Sequence, residues 1–456
     1  MTQTQIYILC GLALYGLVLL GLGFWAAKNE SHDGFVIGGR NIGILPTVGS
    51  LASGFRDGAG IVFWVGAGLT LGYGPLWLIP GLLLSLLFYS TFGPRIREIA
   101  EQKDYISIAE FIRDSFGPLT QKLSALIIIF FSLMYVAMQL YVSGNLIAQV
   151  LSVQSWIGIV AVATVIAVYL FWGGYGNVVK TDTIQFFIIL SLIAVPFFIP
   201  PTAEQLFDFS GFKAIGLETG LGFFLIGVFW IISSADAWQR VFSARNARVI
   251  RIAFPASALF YLIMTLSLIY IGLGAKNILP AEIEADDVFF SLFSTPEISA
   301  WLKGCIAVGV MAITMSTLDT FCYLAASTFG KDIAPARLTN SRAGYFKLTR
   351  ISMLAILILM SLVAMNISDL IQFLFDTISL LFVLAPVYVL AVLSPESGSE
   401  RLDKVMSAII LVCAGIYIYL FTSGAFADML NMFIPTWISI GLSVSAVFAL
   451  KGFKRA

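Results

Sequence analysis

Apolar runs of about 20 residues recur along the whole chain, and this repetition constrains the fold more than any other feature. Each run is long enough to cross a bilayer as an α-helix. Hydrophobic residues make up 59% of the 456 residues and charged residues only 11%, whereas a soluble domain carries about 25% charged residues. The sequence therefore predicts an all-α polytopic membrane protein.

Thirteen transmembrane helices are predicted from these runs, with ends that sequence patterns place only to within a few residues. They lie near residues 6–27, 43–71, 74–93, 118–150, 154–173, 183–200, 217–238, 249–274, 299–329, 346–366, 368–394, 404–424 and 430–450.

The distribution of basic residues predicts the orientation of these spans. With the N-terminus outside, 22 of the 26 Lys and Arg residues are inside and one lies in the membrane. The outer side holds only three, Lys213, Lys276 and Lys303. The acidic loop 275–298 then falls outside. Positive residues concentrate on the cytoplasmic side of membrane proteins, so we expect the N-terminus outside and the C-terminus inside.

The composition also argues against several functional classes. The net charge is zero, which gives no support for a nucleic-acid partner. The sequence contains no Walker-type phosphate loop, and a chain with one histidine does not favour a histidine-ligated zinc site. No constellation typical of an enzyme is present, so we expect no enzymatic activity.

Ionisable residues inside the spans are the first candidates for function, because they are costly in a membrane. Arg56 and Asp57 lie about a dozen residues into the second span, too deep to reach the interface easily. Four further aspartates have alternative interpretations: the first two could lie at the inner interface and the last two could be internal hydrogen-bonding groups. They are Asp182, Asp236, Asp319 and Asp376.

Glycines surround the buried charges in the segment SLASGFRDGAG (residues 50–60). Gly54, Gly58 and Gly60 each lower helix propensity by about 1 kcal/mol relative to alanine. A helix broken here would free backbone carbonyls, which a membrane tolerates only next to protein or a cavity. Such carbonyls suit a small cation, as in transporters with discontinuous helices. The alternative is a glycine-rich seam for close helix packing.

The ninth span offers a matching set of oxygens in GVMAITMSTLDTF (residues 309–321). Ser316 and Thr317 are adjacent hydroxyl residues, and a hydroxyl in a membrane helix commonly bonds its own backbone. Together with a broken second span, however, this pair could complete a cation site made only of oxygens.

Five segments follow one another along the chain: FVIGGRNIG (35–43), SLASGFRDGAGIVFWVGAGLTLGYGPLW (50–77), GGYGNVVKTDTIQ (173–185), DAWQRVFSARN (236–246) and MSTLDT (315–320). In this order they resemble the sodium:solute symporter family, over about residues 30–395. The second segment aligns without gaps to a sodium/proline member of that family.

The resemblance implies a five-plus-five inverted repeat of the leucine-transporter type with three peripheral helices. The expected organisation is a peripheral first helix and inner loop, two inverted-repeat halves and two peripheral C-terminal helices. The first helix and loop cover residues 1–42, and the C-terminal helices cover 396–456. The first repeat half covers 43–200, with the broken helix at 43–71, and the second half covers 201–395.

The resemblance also implies a sodium site, with Na⁺ as the coupling ion. The residues carried over by motif are Ser53, Arg56 and Ile313 through their carbonyls, and Ser316 and Thr317 through their hydroxyls. Asp182 matches a family aspartate near the inner mouth of the sodium path, which in some members helps to form a second sodium site.

The chain departs from the family at the helix break itself. The sodium/proline member has an aspartate at the position of Phe55, and Arg56 and Asp57 replace an apolar and a small hydroxyl residue. Three hypotheses for this pair stay open. Arg56 and Asp57 could bind a small carboxylate or zwitterion, since a guanidinium fork suits a carboxylate; Arg56 could replace a coupling cation; or the two residues could form a structural ion pair.

Position on the core helices adds further candidates for solute binding: Ser50, Gln139, Phe229, Trp230, Ser233 and Ser234. The sequence thus predicts a sodium-coupled symporter for a small organic solute, with an amino acid or small carboxylate favoured. A sodium-independent or proton-coupled transporter and a membrane sensor of the same fold are the alternatives. We expect a monomer in the lipid bilayer of a plasma membrane, with a bacterial source, and no nucleic-acid partner.

Overall fold

The computed structural model describes residues 2–27, 32–170, 175–280, 282–393 and 399–451, and within these ranges every regular element is helical. This confirms the all-α prediction. The α-helices are α1 (Gln3–Ala27), α2 (His32–Ile37), α3 (Ile44–Gly54), α4 (Gly58–Thr70), α5 (Leu78–Gln102), α6 (Ile108–Ser115), α7 (Pro118–Leu151), α8 (Ser155–Leu170), α9 (Tyr175–Leu190), α10 (Ala203–Leu206), α11 (Gly211–Ala214), α12 (Gly216–Ser233), α13 (Ala235–Ser243), α14 (Ala247–Ala275), α15 (Ala285–Ser291), α16 (Ala300–Thr328), α17 (Ala336–Thr339), α18 (Arg342–Ala364), α19 (Leu370–Phe382), α20 (Ala385–Leu393), α21 (Glu400–Thr422) and α22 (Ile434–Lys451).

Ten helical segments of the described chain are long and apolar enough to cross a membrane, which confirms a polytopic protein. Four shorter apolar helices accompany them: Gln5–Gly21, Ile44–Gly54, Gly58–Thr70 and Ser155–Val168. The ten long segments are Gly74–Gln102, Pro118–Leu151, Val178–Phe198, Gly216–Ser233, Ala247–Ala275, Ala300–Ile333, Arg342–Ala364, Leu370–Leu393, Glu400–Thr422 and Met429–Leu450.

The second predicted span is broken into α3 and α4 at Phe55–Asp57. Asp57 adopts an extended conformation and its carboxylate accepts a hydrogen bond from the Gly60 amide at 2.7 Å, which caps α4. Gly58 is required by close packing, since a Cβ atom there would lie 2.4 Å from the Thr314 Cγ2 atom. An N-cap carboxylate and a glycine with no room for a side chain therefore fix the break.

A second interruption separates α12 from α13. Ser234 has φ −78° and ψ 115°, an extended conformation between two helices that otherwise continue one another. The short helix α13 carries Asp236 and Arg240. Both interruptions place polar residues at the ends of half-helices inside the bundle, where backbone groups lack intrahelical partners.

The helix α16 runs through the centre of the bundle and packs against α7, α9, α1 and α3. Close helix crossings elsewhere depend on glycine: a Cβ atom at Gly81 in α5 would lie 2.0 Å from the Phe224 carbonyl oxygen of α12. Close glycine contacts thus occur at several crossings of this bundle, and Gly58 beside the break is one of them.

Both ends of the broken helix α3–α4 are covered. At one end α15 packs on α4, where a Cβ atom at Gly66 would lie 2.3 Å from the Ala285 carbonyl oxygen. At the other end the Ile42 amide donates to the Ser243 carbonyl at 3.2 Å and the Arg245 amide donates to the Ile42 carbonyl at 2.9 Å. These contacts close the bundle over the region between the two ends.

Candidate functional site

A cluster of buried oxygens joins three helices beside the break. The Ser316 hydroxyl on α16 lies 2.8 Å from the Ser53 hydroxyl on α3 and 2.5 Å from the Asp182 carboxylate on α9. The Ser50 hydroxyl bonds the other Asp182 oxygen at 2.5 Å. Four of the residues singled out in the sequence, from three distant segments, therefore meet at one place: Ser50, Ser53, Asp182 and Ser316.

The remaining residues of the predicted sodium set lie at the break, which holds Arg56, and in the middle of α16, which holds Ile313 and Thr317. Thr317 is fully buried, and its hydroxyl has no hydrogen-bond partner within the described residues. Ile313 lies one turn before it on α16, and Ser53 is in the last turn of α3, where carbonyls lack intrahelical partners. An unpartnered buried hydroxyl, next in the chain to the serine that bonds Asp182, fits a hard cation that prefers oxygen ligands.

Arg240 is the member of this cluster that sequence analysis missed. Its guanidinium donates to the Ser50 carbonyl at 2.9 Å and the Ser50 hydroxyl at 3.1 Å, and it pairs with Asp236 at 3.0 Å. The distance to the Asp182 carboxylate is 3.9 Å. Asp236 is buried in this pair. The i, i+4 spacing of Asp236 and Arg240 was the available sequence signal.

Arg56 lies on the other side of the break, and α14 holds it. Its Nη2 donates to the Tyr261 carbonyl at 3.0 Å and also to the Thr265 hydroxyl. The guanidinium carbon lies 4.0 Å from the centre of the Tyr261 ring, a cation–π geometry. Arg56 is buried, forms no ion pair within the described residues, and its Nε has no hydrogen-bond partner there.

Asp57 is likewise engaged without Arg56. Besides capping α4, its carboxylate lies 3.5 Å from the Tyr135 hydroxyl of α7. Gln139, one turn further along α7, accepts a hydrogen bond from the Gly58 amide at 2.7 Å. These contacts do not support a structural ion pair between Arg56 and Asp57, and they give Gln139 the role of holding the start of α4.

Arg56 and Asp57 both line a small cavity of about 40 Å³. In this conformation the cavity has room for water but not for an organic solute. Its walls are otherwise mainly aromatic and aliphatic: Phe55, Gly60, Phe63, Trp64, Leu78, Tyr135, Ile226, Trp230, Leu374, Tyr261, Phe375 and Ile378.

Of the eight residues predicted to bind solute, three line the cavity and five do not. Arg56, Asp57 and Trp230 line the cavity, whereas Ser50 belongs to the Asp182 cluster. Phe229 packs away from the cavity, against Phe382, Phe433 and Trp437. The Ser234 hydroxyl bonds Asp236, and Ser233 is buried next to it with no hydrogen-bond partner for its hydroxyl in the described part of the chain. Gln139 does not line the cavity and bonds the Gly58 amide at the start of α4.

Several wall residues were not predicted, because an aromatic residue in an apolar span carries no distinguishing signal in one sequence. They include Tyr135, Tyr261, Phe63, Trp64 and Phe375.

The other two intramembrane aspartates differ from each other. Asp319 is fully buried in α16, while Asp376 is partly exposed and accepts a hydrogen bond from Gln372 at 2.8 Å.

Comparisons with known proteins agree with these features. Residues 35–200 match the sequence model of the sodium:solute symporter family. A sodium/proline symporter of Staphylococcus aureus (strain JH9) is 24% identical over 393 residues, which cover 80% of this chain and 76% of that protein. The same values hold for the sodium/proline symporter of the strain Newman.

Solved structures share the fold. A Na⁺-coupled sialic acid symporter in a substrate-bound, outward-open state superimposes with a TM-score of 0.77 at 17% identity, covering 96% of this chain and 97% of that one. A nucleobase-cation-symport-1 family transporter in a closed conformation gives a TM-score of 0.53 at 14% identity, with 94% and 92% covered. The resemblance that the sequence motifs carry, to the sodium:solute symporter family, is thereby confirmed.

Proposed function

We propose that this protein is a secondary active transporter that couples Na⁺ to the symport of a small organic solute, an amino acid or small carboxylate, by alternating access. The observation that carries the proposal is the junction of Ser53, Asp182 and Ser316 beside a broken helix. It brings a carboxylate and hydroxyls from three helices together, with an unpartnered Thr317 hydroxyl one residue further on.

The proposed sodium site comprises the carbonyls of Ser53, Arg56 and Ile313, the hydroxyls of Ser316 and Thr317, and the carboxylate of Asp182. The donor set is hard oxygen throughout, which suits an alkali cation and excludes ligands that would favour a softer metal. Within the described residues no group of three or more His, Cys, Asp or Glu side chains could hold a metal ion by itself.

The solute site is the cavity on the other side of the break. Arg56 and Asp57 offer opposite charges on walls that are otherwise mainly apolar. A carboxylate would accept a hydrogen bond from the Arg56 Nε, which has no partner among the residues that the structure describes. Asp57 would face an ammonium or hydroxyl group. Because the cavity is only about 40 Å³, the walls must separate to admit a solute, as alternating access requires.

The geometry favours the solute-binding hypothesis for Arg56 over the replacement of a cation. The hydrogen bonds of Arg56 go to α14, and the cation that faces Asp182 is Arg240. A sodium-independent transporter or a sensor remains an outcome of the experiment below, and no contact in the structure favours either.

Thirteen crossings with the N-terminus outside belong to the same proposal. The ten long apolar segments, together with α1, the pair α3–α4 and α8, add up to that number. The protein would act as a monomer, in a bacterial plasma membrane.

Cysteine labelling tests the orientation, on a background without Cys10, Cys305, Cys322 and Cys413. The variant Glu282→Cys should react with an impermeant thiol reagent in intact cells, whereas Arg342→Cys should not. The reverse labelling would place the N-terminus inside.

Uptake into liposomes tests the function. The purified protein should accumulate a member of a panel of amino acids, small carboxylates and sugars when an inward Na⁺ gradient is present, and accumulation should stop when choline replaces Na⁺ or an ionophore collapses the gradient. Uptake that is unchanged without Na⁺ would contradict sodium coupling, and a sugar as the solute would contradict the role given to Arg56.

A further inference from the structure

If the proposed sodium site is correct, Asp182 faces two cations, Na⁺ and the side chain of Arg240. The role proposed for Arg240 rests on that site. The Nη2 of Arg240 lies 3.9 Å from the Asp182 Oδ2 atom, and both side chains are fully enclosed in the bundle. The guanidinium cannot lose its proton in a protein, so this positive charge is permanent.

Arg240 does not hydrogen-bond Asp182 directly at this distance, and its hydrogen bonds go to Ser50 and Asp236 instead. The Ser50 carbonyl, the Ser50 hydroxyl and the Asp236 carboxylate lie 2.9, 3.1 and 3.0 Å from its nitrogens. These contacts join α13 to α3 and fix the guanidinium beside Asp182. The charge therefore acts on the carboxylate from a defined position without neutralising it through a hydrogen-bonded pair.

The Ser50 hydroxyl links the two charges. It accepts from the Arg240 Nε at 3.1 Å and donates to the Asp182 Oδ2 at 2.5 Å. One oxygen of Asp182 is thus turned toward Ser50 and Arg240, while the other oxygen bonds Ser316 at 2.5 Å. A cation held by Ser316 would meet Asp182 from the second side, and the carboxylate would be shared between that cation and Arg240.

We propose that Arg240 competes with Na⁺ for the charge of Asp182 and so keeps the affinity of the site low enough for rapid release of the ion. A neighbouring positive charge lowers the affinity of a carboxylate for a cation, and a transported ion must bind weakly enough to leave. Arg240 is on this account a positioning residue for Asp182 and Ser50, not a ligand of the ion.

The test is Na⁺ binding without solute, measured on the purified protein as thermal stabilisation by NaCl, with choline chloride as the reference salt. Arg240→Gln should bind Na⁺ about tenfold more tightly than the wild type, because the repulsive charge has gone. Its maximal rate of solute uptake should fall, because release becomes slower. Arg240→Lys keeps the charge and should change the affinity less than Arg240→Gln. Unchanged or weaker Na⁺ binding in Arg240→Gln would overturn the proposal.

A second pair of variants keeps the test valid if Arg240→Gln does not fold. Asp236→Asn removes the nearest anion from Arg240 and should weaken Na⁺ binding. The double variant Asp236→Asn/Arg240→Gln keeps the local charge balance, and it should bind Na⁺ at least about tenfold more tightly than Asp236→Asn alone. The absence of that difference would also overturn the proposal, since a structural role would not produce the opposite signs.

Arg97 supplies the matched control. It is also buried, donates from Nε to the Ala244 carbonyl at 2.5 Å and pairs with Glu101 at 3.0 Å. Arg97→Gln should leave the Na⁺ affinity of the site unchanged, and tightening there would show that loss of any buried arginine has the same effect. A wild-type protein that shows no Na⁺-specific stabilisation and no Na⁺-dependent uptake would refute the sodium site itself, and the role of Arg240 with it.

Discussion

Arg56 and Arg240 are both among the largest fully buried side chains of the protein, yet their surroundings differ in kind. Arg240 pairs with Asp236 at 3.0 Å and faces Asp182 at 3.9 Å. Arg56 contacts a carbonyl, a hydroxyl and an aromatic ring of α14, and no carboxylate lies within ion-pair distance among the described residues. One buried cation is compensated by the protein and the other is not.

The difference indicates what each residue is for. A buried charge is tolerated when it is paired and hydrogen-bonded, so Arg240 can serve the architecture around Asp182 permanently. The positive charge of Arg56 is only partly compensated by dipoles and a ring face, and its Nε remains without a partner in the described residues. An anionic group of a bound solute would complete the environment of Arg56, whereas it would be redundant at Arg240.

The largest expected effect is on stability. Arg240→Gln leaves the carboxylates of Asp236 and Asp182 without their cation, and breaking a buried pair in this way costs roughly 3–5 kcal/mol. Arg56→Gln strands no carboxylate, and its loss of a cation–π contact of about 2 kcal/mol is offset by removal of a buried, unpaired charge. Thermal and denaturant unfolding in detergent should show a large loss for Arg240→Gln and a change within about 1 kcal/mol for Arg56→Gln. Equal losses would remove the distinction between the two arginines.

The next effect is on solute affinity. Arg56→Gln should weaken solute binding at least about thirtyfold, because a buried hydrogen-bonded charge pair contributes about 2 kcal/mol or more. Arg56→Lys keeps the charge but loses the Nε donor and the planar stack on Tyr261, so its affinity should fall as well. Solute-dependent uptake kinetics would measure both changes.

Na⁺ binding without solute separates the hypotheses for Arg56. If Arg56 binds solute, Na⁺ affinity should change by less than about twofold in Arg56→Gln, a free-energy change of roughly 0.4 kcal/mol. Tighter Na⁺ binding would instead show that Arg56 stands in for a coupling cation, as the second hypothesis holds.

A larger effect on Na⁺ affinity than that of Arg56→Gln is expected at the sodium site itself. Ser316→Ala/Thr317→Ala removes two oxygen ligands, and Na⁺ affinity should fall about tenfold or more, which corresponds to about 1.4 kcal/mol. Thr314→Ala is a matched control, because the Thr314 hydroxyl bonds the Met311 carbonyl of its own helix at 3.1 Å. The assigned site is wrong if the double variant transports with unchanged Na⁺ dependence.

Sequence patterns predicted the parts of this arrangement that carry strong local signals. The break near Arg56 was predicted from its glycines, and the hydroxyl pair of α16 stands out against an apolar helix. The capping of α4 by Asp57 is seen only in the structure. The junction of Ser53, Asp182 and Ser316 depended on family resemblance, because no local rule relates positions so far apart in the chain.

The remaining parts depend on three-dimensional packing. Arg240 lies near a span end, where a basic residue is ordinary, so only its contacts with Ser50 and Asp182 reveal its place. The different surroundings of Phe229 and Trp230 likewise depend on packing. One ring lines the cavity and the next packs against Phe382, because adjacent helical residues face different directions.

A further comparison concerns the coupling between Arg56 and Asp57. Asp57 caps α4 and Arg56 bonds α14, so these neighbours in the chain share no hydrogen bond and interact only through space. A double-mutant cycle on stability with Arg56→Gln and Asp57→Asn should therefore give a smaller coupling than the same cycle on a pair in direct contact. The cycle with Arg240→Gln and Asp236→Asn should give about 1–3 kcal/mol, since these side chains are in contact at 3.0 Å. If the Arg56–Asp57 double variant instead recovers both the stability and the uptake that either single variant loses, the pair is a structural ion pair and Arg56 does not bind the solute.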